Sequence, residues 1–242
     1  MATLIVPAAG DATRMKSQIP KALTLVDGQT ILGRILKRYE SFVEDVIVVI
    51  RPDHQEVFAN SLKNFDLPIK LLLQNNANGT ADAVNIALSA VKSEVAIVIW
   101  GDHIGSAFMP DNLVSQGIAF AEEKTAVFPV IYKENPYVYF KFSEGMSLQS
   151  FHETRKSDPV VDYGWNDCGV FFLNRKRIFD PLNQFISSNL GTKDLNFLQI
   201  LPWLALRGEN VLALKANDER LTLGVNSNED LNFVMKIFKG IG

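Results

Sequence analysis

Residues 8 to 21 read Ala-Ala-Gly-Asp-Ala-Thr-Arg-Met-Lys-Ser-Gln-Ile-Pro-Lys and follow directly on the apolar run Leu4-Ile5-Val6. Small residues at Ala8, Ala9 and Gly10 let backbone N–H groups approach an anion closely, and Arg14 and Lys21 add the positive charge that amides lack. The chemistry that suits such a loop is the grip of a polyphosphate, which points to a nucleotide. The plainer alternative is a small-residue turn with two incidental cations. A Walker loop needs glycine, four residues, then Gly-Lys-Ser/Thr, and the chain lacks it. A dinucleotide fingerprint needs three spaced glycines and an acid closing the second strand. Here Gly10 stands alone and the second apolar run ends Ile50-Arg51.

Further chemistry-bearing residues recur downstream. Gln74 precedes Asn75-Asn76-Ala77-Asn78-Gly79-Thr80-Ala81-Asp82-Ala83. A glutamine carboxamide can donate and accept together, as the edge of a base requires. The same stretch also reads as Asn/Gly turn chemistry before a helix that starts at Thr80. Gly101-Asp102 follows an apolar run, and Gly224-Val225-Asn226 precedes a capping-box pattern at Ser227 and Asp230. One carboxylate and one amide oxygen suit Mg²⁺, which takes hard oxygen donors and few protein ligands. An ordinary turn aspartate and a loop asparagine are the bland readings of the same pair.

Taken in order, these segments resemble the sugar-1-phosphate nucleotidyltransferase family, above all its uridylyltransferase domain acting on N-acetylglucosamine 1-phosphate. The resemblance runs from Leu4 to about Leu231. It implies that Ala8, Ala9 and Gly10 cradle the triphosphate, that Arg14 and Lys21 neutralise it, and that Asp102 and Asn226 bind Mg²⁺. By the same resemblance Gln74, Gly79 and Thr80 meet a pyrimidine nucleotide, UTP ahead of CTP and dTTP. Phe151-His152-Glu153-Thr154-Arg155 resembles a strand end whose glutamate contacts sugar hydroxyls. Asp167-Cys168-Gly169 resembles an Asn-Thr-Gly segment whose asparagine contacts the sugar, so Glu153, Asp167 and Gly169 become the expected acceptor side. The sequence departs from the family pattern at Ala12, where a second glycine is usual, at Asp167, and at His103. Asp167 with Tyr163 and Trp165 leaves room for a cationic acceptor such as phosphocholine. A non-catalytic nucleotide sensor is the other alternative. The chain ends at Gly242 without the hexapeptide-repeat acetyltransferase domain of some relatives, so only nucleotidyl transfer is expected.

The elements that must position these residues follow from the apolar pattern. Leu4–Val6, Val46–Ile50, Ile69–Leu73 and Val95–Trp100 are almost continuously apolar, as parallel strands covered on both faces are. Helical spacing recurs at Ile31, Leu32, Ile35, Leu36 and Tyr39, and at Val84, Ala87, Leu88 and Val91. The alternation predicts an α/β fold: a doubly wound, mostly parallel, Rossmann-like sheet with ligands at the carboxyl ends of its strands. Thr125–Tyr132, Tyr137–Phe142 and Ser147–Phe151 read as antiparallel strands of an inserted substrate-side lobe, with turns at Glu134-Asn135-Pro136 and Ser143-Glu144-Gly145. A polar and aromatic loop is expected over 152–168, then strands at Val170–Leu173, Val211–Leu214 and Leu221–Val225. Helices are expected around Ile178 to Ile186, Leu195 to Leu206 and Leu231 to Phe238. One domain over 1–242 is expected, with 1–124 binding nucleotide and 125–242 binding the acceptor and completing the metal site.

Composition excludes several classes. The chain is 47% hydrophobic with a net charge of −3 and no long basic block, so it lacks the electrostatic footprint of a nucleic-acid binder. Its apolar runs are too short to span a bilayer, and no signal-peptide pattern opens it. Cys168 is the single cysteine, which excludes an internal disulfide and suits a reducing cytoplasm. The expected partners are a nucleoside triphosphate and a sugar 1-phosphate or another small phosphate, with no nucleic acid and no membrane. Assembly into a homo-oligomer is left open.

Overall fold

A computed structural model describes residues 1–10, 19–76, 78–143, 147–154 and 158–240. The nucleotide-side half is built on four parallel strands: β1 (Ala2–Pro7), β4 (Val43–Ile50), β5 (Ile69–Leu73) and β6 (Val95–Ile99), in the spatial order β5-β4-β1-β6. Between β1 and β4 a two-stranded ribbon, β2 (Leu25–Val26) with β3 (Gln29–Thr30), leads into helix α1 (Ile31–Tyr39). The Thr30 side chain caps α1 by accepting from Gly33 N.

Alternation along each strand sends successive residues to two separate cores. Leu4, Val6, Val46 and Val48 face α1, α2 (Gln55–Leu62), α4 (Asp111–Ala121) and α7 (Asn228–Phe238). Ile5, Ile47, Val49 and Val98 face α3 (Thr80–Leu88), α5 (Arg175–Ser188) and α6 (Ile200–Leu206). Burial on both faces is why β1 and β6 carry unbroken apolar runs.

The second half continues the same sheet. Strand β11 (Val170–Asn174) lies antiparallel to β6, and β7 (Ala126–Glu134) lies beside β11. Beyond them come β10 (Tyr163–Asp167), β8 (Val138–Phe142) and β9 (Leu148–Glu153), all antiparallel, while β12 (Val211–Lys215) pairs in parallel with β7. The α/β fold with its parallel core is as expected, and the antiparallel part extends that core as one mixed sheet.

Two local expectations are corrected. The loop expected over 152–168 contains β10, which hydrogen bonds to β7 and touches β8. Gly164 and the polar pair Asn166-Asp167 hide it, because the pairing that makes it a strand comes from distant segments. The strand expected at Leu221–Val225 is instead a 3₁₀ turn, Glu219–Thr222, followed by an irregular run. Its backbone is claimed by the loop after β6: Gly105 N donates to Leu223 O and Val225 N to Asp102 O. Among the described residues no helix is long and apolar enough to cross a membrane.

Candidate active site

Three side chains from remote parts of the chain meet at the carboxyl end of β1 and β6. Lys21 opens a short 3₁₀ turn, Lys21–Leu23, that is anchored by the buried Ala22 and Leu23. Asp102 lies in the turn after β6. That turn lies against the end of β1: Gly101 N donates to Pro7 O, and a Cβ on Gly101 would stand 3.1 Å from the Ala8 Cβ. Asn226 is brought in by the segment docked on the Asp102 backbone. Its own N–H and that of Ser227 donate to Asp230 Oδ2, and the Ser227 hydroxyl accepts from Asp230 N. The expected capping box is thus present, and it fixes the loop that carries Asn226.

The Lys21 ammonium donates to Asn226 Oδ1 at 2.9 Å and to Asp102 Oδ2 at 3.3 Å. The pair is neither open nor sealed, with Lys21 and Asp102 side chains 16% and 29% exposed. A carboxylate oxygen and an amide oxygen therefore converge on one positive charge. Two hard oxygens so placed suit Mg²⁺, which completes its octahedron with phosphate and water. Of the loop expected to cradle phosphate, Ala8 is buried, Ala9 half-buried and Gly10 exposed. A Cβ on Gly10 would meet nothing within 4 Å. Arg14 and Ala12 lie outside the described residues.

The expected base-reading segment is folded tightly on itself. Gln74 is buried, and its Nε2 donates to Gly79 O at 3.0 Å and to Asp82 Oδ2 at 2.8 Å. Both partners are acceptors, so the amide orientation is set by chemistry. The donor side of Gln74 is committed within the loop, and a base could meet only its Oε1 acceptor. Gly79 has φ +94°, and a Cβ there would lie 2.3 Å from Leu195 N. On that side of Gly79 the backbone of Leu195 fills the space. Helix α3 does begin at Thr80, but the Thr80 hydroxyl accepts from Phe197 N at 2.8 Å and so ties α3 to the 195–197 segment.

On the expected acceptor side the residues separate. Glu153 ends β9, and it lines an open cleft of about 450 Å³ together with Phe151, Asp158, Phe185 and Gln199. Its backbone N–H donates to Asp158 Oδ2, and its Oε2 accepts from Asn196 Nδ2 at 3.3 Å. Asp167 is buried and turned inward, accepting from Gly169 N at 2.8 Å. Gly169 has φ +63°, and a Cβ on it would stand 2.5 Å from the His103 ring. His103 is buried as well, with Nε2 within 2.8 Å of Leu221 O. This explains the unusual residue after Asp102: the imidazole packs between the Gly169 turn and the segment that carries Asn226. Tyr163 stacks on Tyr132, and Trp165 packs against Tyr132 and Phe142 with the Lys215 ammonium 5.4 Å from its ring centre. Neither Tyr163 nor Trp165 lines the cleft.

Burial pushes the Asp167 carboxyl up, and the Gly169 N–H and His103 only partly oppose it. A carboxyl raised in the folded state contributes stability while protonated and loses it as pH rises through its folded value. Asp167→Asn keeps an acceptor for Gly169 N without the buried charge. It is expected to stabilise the protein at pH 7 by roughly 1 kcal/mol, with the gain gone at about pH 3. Urea melts at both pH values check the sign. Cys168 is buried, and burial with the neighbouring carboxylate of Asp167 pushes its thiol up. A thiol reagent should leave it unmodified in the native protein and react at once after denaturation.

Asn196 and Asp82 are site-side residues that the motif reading missed. The one local signal for Asn196 is its place before a short turn, Phe197–Gln199, where it serves as the cap.

The small-residue loop follows β1 and Asp102 follows β6, with Lys21 beside Asp102, so these groups gather at the carboxyl ends of parallel strands, where open α/β sheets bind ligands. The chain belongs to a family of nucleotidyltransferases: residues 4–189 match the model of the MobA-like NTP transferase domain. It is 30% identical over 239 residues to the "Bifunctional protein GlmU" of Buchnera aphidicola subsp. Acyrthosiphon pisum (strain Tuc7), covering 98% of this chain and 51% of the relative. Against the protein of the same name from Streptomyces griseus subsp. griseus it is 25% identical over 236 residues, covering 95% of this chain and 49% of the relative. The chain thus spans about half the length of these curated relatives. Among solved structures, the inositol-1-phosphate CTP transferase from T. maritima shares the fold with a TM-score of 0.74 at 17% identity, over 100% of this chain and 98% of that one. HddC from Yersinia pseudotuberculosis shares it with a TM-score of 0.74 at 16% identity, over 98% and 100%.

Proposed function

We propose that this nucleotidyltransferase joins a pyrimidine nucleoside triphosphate, UTP first, to a sugar 1-phosphate with Mg²⁺ bound, releasing pyrophosphate. The observation that carries this reading is the meeting of Lys21, Asp102 and Asn226 within hydrogen-bond reach. Mg²⁺ on Asp102 and Asn226 would supply charge neutralisation for the reacting phosphates. A phosphomonoester oxygen attacks the α-phosphorus in line and pyrophosphate leaves. The attacking phosphate has its second pKa near ~6, so it is largely ionised at neutral pH and needs no general base. Catalysis is then positioning and charge neutralisation. Lys21 holds the two phosphates together as negative charge gathers, and Arg14 with the amides of Ala9 and Gly10 steadies the departing pyrophosphate.

In this reading 1–124 carries the nucleotide and 125–242 the acceptor and the second metal oxygen. Glu153, which lines an open cleft, takes the acceptor hydroxyls. Asp167 and Gly169 do not line that cleft; they act through His103 on the segment that carries Asn226. A cationic acceptor finds less support, because Asp167 is turned inward and Lys215 already sits over Trp165. A nucleotide sensor would have no need of a lysine, a carboxylate and an amide oxygen gathered at one point. The similarity in fold to the inositol-1-phosphate CTP transferase from T. maritima makes CTP the second base to test.

The test is a pyrophosphate-release screen of the common triphosphates against phosphorylated sugars and phosphocholine, with and without Mg²⁺. Turnover with UTP and a sugar 1-phosphate that stops on chelation is the expected result. Turnover confined to CTP and phosphocholine would replace the acceptor assignment.

A further inference from the structure

Asn196 reaches both halves of the site. Its Oδ1 accepts from Leu198 N at 3.0 Å and lies 3.5 Å from Thr80 Oγ1, while its Nδ2 donates to Glu153 Oε2 at 3.3 Å. Thr80 secures the same segment by accepting from Phe197 N at 2.8 Å. Next to it, Leu195 is locked to the Gly79 turn: Leu195 N donates to Asn78 O and Ala81 N to Leu195 O. The start of α3 is therefore linked, through one carboxamide, to the carboxylate that lines the cleft. Only a side chain with a donor and an acceptor on one planar group can make both contacts. Alanine offers neither, and aspartate offers acceptors alone.

We infer that Asn196 is a positioning residue for acceptor binding, holding the Glu153 carboxylate to the cleft from a segment anchored on the nucleotide-side helix. The inference rests on the nucleotidyl-transfer reading above and deepens it: the acceptor pocket takes its shape from Thr80 and the Gly79 turn. A ligand at that turn and a ligand at Glu153 then share a support no more than a few residues long.

Two variants of the full chain test it, with the substrate pair that the screen identifies. Asn196→Asp keeps the oxygen that caps Leu198 N and sets a carboxylate against Glu153. Its KM for the acceptor should rise about tenfold, with KM for the triphosphate within about twofold and the thermal midpoint close to wild type. Thr80→Val keeps the shape and removes the hydroxyl, and it should raise the acceptor KM from the far end of the link. A merely structural role would lower the folded fraction and apparent kcat and leave both KM values alone. An unchanged acceptor KM in Asn196→Asp, or equal rises in both KM values, overturns the inference while wild-type turnover upholds the reaction. If Thr80→Val raises only the triphosphate KM, Thr80 is a nucleotide ligand and the link is overturned. A wild-type protein that releases pyrophosphate with no pair overturns the reaction, and the role of Asn196 with it.

Discussion

Replacing Lys21 by Met should reduce pyrophosphate release by ~10²–10³ while leaving the protein folded. The ammonium lies between Asn226 Oδ1 and Asp102 Oδ2, so its loss removes the fixed positive charge from the point where, in the proposed reaction, two substrate phosphates approach each other. Two phosphates repel, and a preorganised charge that needs no reorientation during the reaction offsets that repulsion most effectively in a partly desolvated site. Methionine keeps most of the apolar stem, so the packing of Ala22 and Leu23 beneath the turn is retained. Arginine is no substitute, because its planar fork cannot reproduce a compact charge placed between two oxygens. Asp102→Ala should produce a loss of similar size through a different route, by removing the carboxylate proposed for Mg²⁺. The two losses differ in their metal dependence. Raising Mg²⁺ should recover part of the rate in Asp102→Ala and none in Lys21→Met. Single-turnover rates across a Mg²⁺ series, alongside thermal melts, make the comparison; near-normal turnover in Lys21→Met would remove the charge argument.

Gly79→Ala is expected to be the most damaging small substitution in the described part of the chain. Its added methyl would sit 2.3 Å from Leu195 N and 2.4 Å from Leu195 O, and both obstacles are backbone. A flexible side chain could swing away, but the 194–195 backbone is held by Ala81 N and Asn78 O. The residue would also be forced to keep φ +94°, which L side chains adopt only with strain. Overpacking and strain together place the loss on the order of 4 kcal/mol, or roughly 10 °C in the thermal midpoint of a chain this size. Gly191→Ala separates the two contributions. Gly191 has φ +88° with nothing within 4 Å of an added Cβ, so it tests strain alone and should lose only about 1 kcal/mol. Equal midpoints for the two variants would show that Leu195 gives way freely. Because Gln74 donates to Gly79 O, the Gly79 variant should also weaken triphosphate binding in whatever fraction remains folded.

Much of the fold was legible because the physics that writes it is local. Buried parallel strands must be apolar on both faces, and Leu4–Val6, Val46–Ile50 and Val95–Ile99 stand out for that reason, whereas Ile69–Leu73, expected to be covered on both faces, is the edge strand and has no buried residue. Helix α1 shows its buried stripe at Ile31, Ile35 and Tyr39, and Ser227 with Asp230 announces the start of α7. The polar strand β10 was illegible: Tyr163, Gly164 and Asn166 look like loop until β7 supplies their partners. The run Leu221–Val225 misleads in the opposite sense. Its β-branched and leucine residues suit a strand, yet its backbone groups are taken by Gly105 and Asp102, which no periodicity foretells.

Residue order alone set which chemistries were on offer: a small-residue loop, two cations, a strand-end aspartate, an asparagine before a capping box and a glutamine before a glycine turn. It also determined the α/β class, through apolar runs that admit burial on both faces. Tertiary structure decided which of these act together. Lys21 and Asn226 are 205 positions apart, and only the docking of the 221–226 backbone on the Asp102 loop makes them neighbours. It also decided orientation, turning Asp167 onto Gly169 N and committing the Gln74 donor to Gly79 and Asp82. The physical reason is that a residue's identity sets what it can bond to. Which partner it finds depends on the closing of long loops and on the competition of every other polar group for the same hydrogen bonds.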